Sequence, residues 1–121
     1  MLMGLDNFIV VEDDALYHRI HKELDDIIVV RGMITAQGNH WIRGKRYNDA
    51  VEVVTGQTLY QEEIAPDMVK RMSKFLSKAK ARDVRDLLDW FKDDEVEKHW
   101  KGVQKYFKVA AKYNASLGGW W

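Results

Sequence analysis

The stretch of this chain with the densest potential for chemistry is Gly38 to Asn48, GNHWIRGKRYN. It sets Trp41 and Tyr47 among His40, Arg43, Lys45 and Arg46, and runs into Asn48-Asp49 at what reads as a helix start. Guanidinium and ammonium groups meet phosphates or carboxylates, aromatic faces stack on planar groups, and the free N–H groups of a first helical turn favour negative charge. The combination predicts a site for a nucleotide-like anionic ligand. Arg43, Lys45 and Arg46 would supply charge and Trp41 or Tyr47 the stacking surface, with His40 and Asn48 beside them. The same residues also fit a plainer loop, whose tryptophan fills the core and whose cations are solvated. The chain has neither a Gly-Lys-Ser/Thr phosphate signature nor a dinucleotide glycine fingerprint, so neither nucleotide hydrolysis nor a cofactor is expected.

Three further groups bear on chemistry. Asp14, His18 and His21 stand at i, i+4 and i+7, one face of a helix, and carboxylate with imidazole suits zinc or manganese. A metal site needs three or four ligands, and no second histidine pair accompanies them. An ordinary surface helix is therefore expected, and a metal-dependent hydrolase ranks last among the functions considered. The segment KRMSKFLSKAKARDVR carries Lys70, Arg71, Lys74, Lys78, Lys80, Arg82 and Arg85 against Asp83 alone, a basic amphipathic pattern open to nucleic acid or an acidic membrane. The next span answers with Asp86, Asp89, Asp93, Asp94, Glu95 and Glu97, which reads as complementary solvated zones, so nucleic acid is not an expected partner. Glu12, Asp13, Asp14, Asp25 and Asp26 lack a spacing that fixes two metal ligands and read as helix caps and solubilising charge. Serine occurs only at Ser73, Ser77 and Ser116, and cysteine not at all, which removes thiolate and disulfide chemistry.

The elements that must position these residues follow from apolar spacing. Phe8–Val11 is a short β-branched run suited to a strand, and Leu16, Ile20 and Leu24 mark an amphipathic helix capped by Asp13 or Asp14. Ile27–Val30 reads as a second strand buried on both faces, which Met33–Ala36 extends after a bend at Gly32. A short helix begins at Asn48 and stops at Thr55-Gly56, and Thr58–Gln61 is either a third strand or extended loop. Pro66 opens a helix whose stripe is Met68, Val69, Met72, Phe75, Leu76 and Ala79. A second carries Val84, Leu87, Leu88 and Phe91; a third starts at Asp94 with Val96, Trp100, Val103, Phe107 and Ala110. Leu117–Trp121 is expected to dock into the core as a strand beside the N-terminal one, burying its tryptophans. The class is α+β, a small sheet packed with mostly C-terminal helices, in a single compact domain over 1-121.

At 46% apolar and 31% charged residues with zero formal net charge, the chain is a folded protein with no global field to recruit a polyanion. It has no apolar run of the ~20 residues a membrane span needs and no signal-peptide layout, so a cytoplasmic location without membrane partners is expected. Met3 before Gly4 reads as an alternative start. The opening MGLDNFIVV, the central WIRGKRYNDAVEVVTGQTLYQEEIAPDMV and the ending SLGGWW together resemble small accessory proteins of bacteriophages and prophages that begin Met-Gly-Leu-Asp and close on an aromatic tail. That resemblance implies a phage-encoded anti-defence protein in the host cytoplasm. It would sequester a nucleotide signal without turnover or, alternatively, grip and inhibit a host defence protein such as a CRISPR-type effector. A pocket shared between subunits would make it a homodimer. A concave pocket around Trp41 would favour the first of these functions, and a flat patch the second.

Overall fold

The computed structural model describes residues 4–121, with Ile28 and Val29 by backbone alone; the start at Met3 lies outside the described residues. In chain order the elements are β1 (Asp6–Val10), α1 (Ala15–Glu23), a 3₁₀ turn (Asp25–Val29), β2 (Ile34–Thr35) and β3 (Gly38–Ile42). A second 3₁₀ turn (Gly44–Arg46) leads into α2 (Asn48–Thr55), β4 (Glu63–Ile64), α3 (Pro66–Lys78) and α4 (Ala81–Val84). A third (Arg85–Leu87) precedes α5 (Asp93–Lys112), and β5 (Ser116–Trp120) closes the chain. The fold is α+β, with an antiparallel sheet in the order β2-β3-β1-β5-β4.

The first and last strands meet at the centre of that sheet, from Asp6 opposite Trp120 to Val10 opposite Ser116. Alternation along β1 and its approach send Leu5, Asn7 and Ile9 inward, and all three are buried. Against them lies α5, whose Trp100, Val103, Tyr106, Phe107 and Ala110 form the broad buried side of a long helix wedged between the sheet and α3. The Tyr106 hydroxyl donates to the His40 carbonyl at 2.7 Å, which fixes the helix to the sheet. The chain leaves α5 through Asn114 at φ 52°, and the Ala115 N–H returns to the Ala110 carbonyl at 3.0 Å, a left-handed exit that turns the backbone into β5. Gly56, at φ 77°, stops α2 in the same left-handed way, and Pro66 occupies the first turn of α3.

Several expectations need correction. Ile27–Val30 is not a strand: Ile27 bonds back to Leu24 at 3.1 Å and Val30 to Ile27 at 3.0 Å, the i to i+3 pattern of a 3₁₀ turn that buries Leu24 and Ile27 together. An apolar quartet is too short to separate the two by pattern alone. Gly38–Ile42 is strand and not loop; of the two readings of Thr58–Gln61 the loop is the one observed, and a strand follows at Glu63. The helix expected over Val84–Phe91 shrinks to the single turn of α4 and a 3₁₀ turn, and Phe75 is 48% exposed. The tail does pair beside the N-terminal strand, but Trp120 stays 63% exposed and Trp121 44%. The register sets Trp120 opposite Asp6, and Trp121 leans edge-on against Tyr60 with ring centres 5.7 Å apart.

Gly118 sits directly opposite Phe8, whose ring lies where a β-carbon on residue 118 would stand. Gly118→Ala should therefore lower the urea midpoint by the equivalent of about 1–3 kcal/mol through overpacking. In the double variant with Phe8→Leu that added loss should shrink, because the two positions are directly coupled.

Candidate functional site

β3 deals the candidate residues to different places. Along a strand successive side chains point to opposite faces, so Trp41 turns one way and His40 and Ile42 the other. Trp41 lies on Phe8 with ring centres 4.3 Å apart and planes 23° from parallel, and Phe8 in turn covers Gly118. Register carries this row across four strands: Trp41, Phe8, Gly118 and Glu63. Asp6, Val10 and Trp120 share that face, and Val10 and Trp120 are exposed. The result is a flat, partly open aromatic face edged by two carboxylates.

The inward side of β3 is occupied by its own packing. His40 Nδ1 and His21 Nε2 lie 2.7 Å apart and share one hydrogen, and the Tyr17 ring packs 5.2 Å from His40. Burial, with the His21 charge adding to it, lowers the His40 pKa to about 4. Asn39 donates to the His21 carbonyl at 2.6 Å, so this corner joins α1 to the sheet.

Beyond β3 the remaining residues diverge again. Arg43 is exposed. Lys45 and Arg46 lie over the face of Trp90, 5.8 and 5.9 Å from its ring centre, and Trp90 itself is 56% exposed. Tyr47 is fully buried: its hydroxyl meets His99 Nδ1 at 2.8 Å, and Phe91 stacks on both rings, 5.6 Å from Tyr47 and 3.5 Å from His99. Burial raises the Tyr47 pKa against the opposing pull of the Arg46 and Arg43 guanidinium groups. Burial, and then the Arg46 charge, lowers His99 to about 4, so the imidazole stays neutral beside the phenol. Asn48 accepts from the Leu59 N–H at 2.7 Å and the Thr58 hydroxyl at 3.2 Å, folding the 57–61 loop against α2.

Of the seven residues predicted to hold an anion, Trp41, Arg43, Lys45 and Arg46 keep solvent access, while His40, Tyr47 and Asn48 are engaged internally. Among the described residues the four line none of the main clefts. The larger clefts open elsewhere, between α3 and α5, beside Glu12 and Asp13, and between Asp26, Ile27 and the Lys98–Lys105 side of α5. Asp14 and His18 are exposed on α1 while His21 is bound to His40, and among the described residues no group of three or more His, Cys, Asp or Glu side chains is placed to hold a metal. Asp13 accepts the Ala15 N–H at 2.9 Å as a helix-start bond, and Asp26 pairs with Lys105 at 2.6 Å. Sequence reasoning missed Phe8 and Trp90 as surface residues. Alternation with Asn7 and Ile9 would have flagged Phe8; nothing in the pattern marked Trp90. No helix among the described residues is long and apolar enough to cross a membrane. No protein-family model, curated protein or solved structure matches the chain.

His99 and His40 give stability a pH dependence of definite sign. Unfolded imidazoles take up a proton near pH 6.5, and the folded ones resist doing so down to about pH 4. Stability is therefore complete above pH 6.5 and falls as the pH drops toward 4, by roughly 3 kcal/mol for the fully buried His99. Urea midpoints measured across this range should show that slope, and His99→Gln should flatten it to the share left to His40.

Proposed function

We propose that the protein is a non-catalytic binding protein of the phage accessory kind it resembles, and that it grips a host defence protein with the open face of its sheet. The observation that carries this reading is the position of Trp41. It lies flat on Phe8 on an exposed sheet face and not in a cleft beside its neighbouring cations. A nucleotide sink would need Trp41 or Tyr47 free to sandwich a base with arginines at the phosphates, yet Phe8 holds one face of Trp41 and Tyr47 is interior. Asp6 and Glu63 on the same face repel phosphate. A protein surface suits the face better: aliphatic or aromatic side chains against Trp41, Val10 and Trp120, and cations against Asp6 and Glu63. Tryptophans at the centre of a flat patch are the usual anchors of such contacts.

A photo-crosslinking amino acid placed at Trp41 or Trp120 should join the chain to one host protein in infected or expressing cells, and one placed at the exposed Val53 of α2 should not. With that protein purified, Trp120→Ala with Asp6→Lys should weaken binding at least tenfold by calorimetry while the far-UV spectrum is unchanged. Crosslinks only between copies of the chain would replace the reading with self-association. Native mass spectrometry releasing a stoichiometric nucleotide, lost with Arg43→Ala and Arg46→Ala, would overturn it in favour of a ligand sink.

A further inference from the structure

We infer a second binding surface on the opposite side of the molecule: a basic furrow between α3–α4 and α5 that takes the phosphate backbone of a single-stranded nucleic acid. Two clefts of about 470 and 580 Å³ adjoin there and share Ser77, Lys101 and Gln104. The first is walled by Lys78, Lys80 and Arg82, and the second by Lys105, Lys108 and Lys112. Two carboxylates line them, Glu97 and Glu23, and each is already paired, with Lys101 at 3.0 Å and Lys112 at 2.8 Å. Lys105 is paired with Asp26 at the rim. Among the described residues Lys78, Lys80, Arg82 and Lys108 take part in no ion pair, so the furrow keeps a surplus of positive charge in a chain of zero net charge.

Of the acids that answer this basic run in the sequence, only Glu97 lines either cleft, and it is held by Lys101. Asp83 accepts the Lys80 backbone N–H at 3.0 Å, and Asp93 pairs with Arg85 at 3.3 Å. Asp86, Asp89, Asp94 and Glu95 line neither cleft.

The shape selects among polyanions. From Lys101 to Lys112 the exposed lysine stripe of α5 runs about 16 Å, the length of three helical turns, and Lys78, Lys80 and Arg82 line the first cleft beside its beginning. A concave track with cations on both walls of its first cleft and a lysine stripe along its second fits one flexible strand, where a flat bilayer would reach only the rims. None of the exposed large apolar side chains (Val10, Val53, Phe75, Trp90, Trp120 and Trp121) lines the furrow, so there is nothing to insert between lipids. Trp100 at the floor is 1% exposed and donates to the Ala79 carbonyl at 3.0 Å, as does Gln104 at 2.9 Å. The furrow therefore reads charge and offers no stacking platform, which predicts binding indifferent to base sequence. It shares no residue with the sheet face and stands whether or not that face grips a protein.

The test is fluorescence anisotropy with labelled oligothymidylate and oligoadenylate of about 16 nucleotides, titrated with the untagged protein from about 50 mM salt upward. Both should bind alike, and log Kd against log salt should have a magnitude of roughly 2–3, as expected for about three or four phosphates neutralised on a single strand. Lys78→Glu with Lys108→Glu should weaken binding at least tenfold and flatten the slope, with the far-UV spectrum intact; Trp41→Ala on the far face should leave both unchanged. Since charge reversal on an exposed helix can disturb folding, Lys78→Gln with Lys108→Gln serves as a milder pair and should flatten the slope in the same direction. No binding at the lowest salt would overturn the inference. So would equal loss in the Trp41 variant, or tighter binding to phosphatidylserine vesicles or polyglutamate than to either oligonucleotide.

Discussion

The carboxamide of Asn7 is the constraint on which the rest of the molecule depends. It is fully buried at the centre of β1, and its nitrogen donates to the Leu59 carbonyl at 3.0 Å and the Gly118 carbonyl at 3.2 Å. Its oxygen, the one buried side-chain nitrogen or oxygen without a hydrogen-bond partner among the described residues, lies against Gly44, where a β-carbon could not fit. One side chain thus touches the last strand, the loop after α2 and the turn that launches α2. Asn48 secures the same loop from the other side through the Leu59 N–H. A paired buried polar group loses about 1–3 kcal/mol when its partner is removed, so the Asn7 nitrogen and the Asn48 oxygen fix their arrangement, while the unpaired Asn7 oxygen carries a cost of that order in the native fold.

Because Asn7 needs β5, the chain termini are bound into one sheet, and that sheet can present only certain surfaces outward. Its edges are β2 and β4, two residues each, too short to template pairing with another chain. The inward face is consumed by α5 and its neighbours. What remains is the other face, and there β1 and β3 place Phe8 and Trp41 side by side. Gly118 is part of the same arrangement, since the Phe8 ring uses the space a side chain would fill. The aromatic face is a consequence of how the sheet closes.

The helices α1, α2, α3 and α5 were legible because their signals are periodic and local. Stripes such as Val69, Met72 and Leu76, Pro66 at a first turn and Gly56 at a stop each specify their own element. The terminal tryptophans pointed to a docked tail, and it is docked, but with two glycines in Ser116–Trp120 that strand has too little alternation to tell which side meets solvent. The arrangement of the 38–48 stretch was hidden for a related reason. Composition put cations and aromatics together, while a strand of period two followed by a 3₁₀ turn sent Trp41, His40 and Tyr47 to three separate surroundings. The partners that absorb His40, Tyr47 and Asn48 are His21, His99 and Leu59, at 19, 52 and 11 residues' distance in the chain. Only the tertiary fold brings those groups to them.

Charge shows the same principle at larger scale. A formal net charge of zero suggested a molecule without a field, yet helix electrostatics separate the signs. Asp93, Asp94 and Glu95 fill the first turn of α5, and Asp67 that of α3, where the helix dipole stabilises anions. Lys112 and Lys78 sit in the last turns of the same two helices, where it stabilises cations. The carbonyls of Leu76 and Ala79, at the end of α3, accept from Gln104 in the middle of α5, so the basic end of one helix lies against the lysine-rich half of the other. Each helix carries cations toward its own C-terminus, and packing sets the lysine-bearing end of α3 against the second half of α5. A neutral chain acquires a basic furrow on its helical side and keeps carboxylates beside the aromatic face of its sheet, without either polarity being visible in the sum.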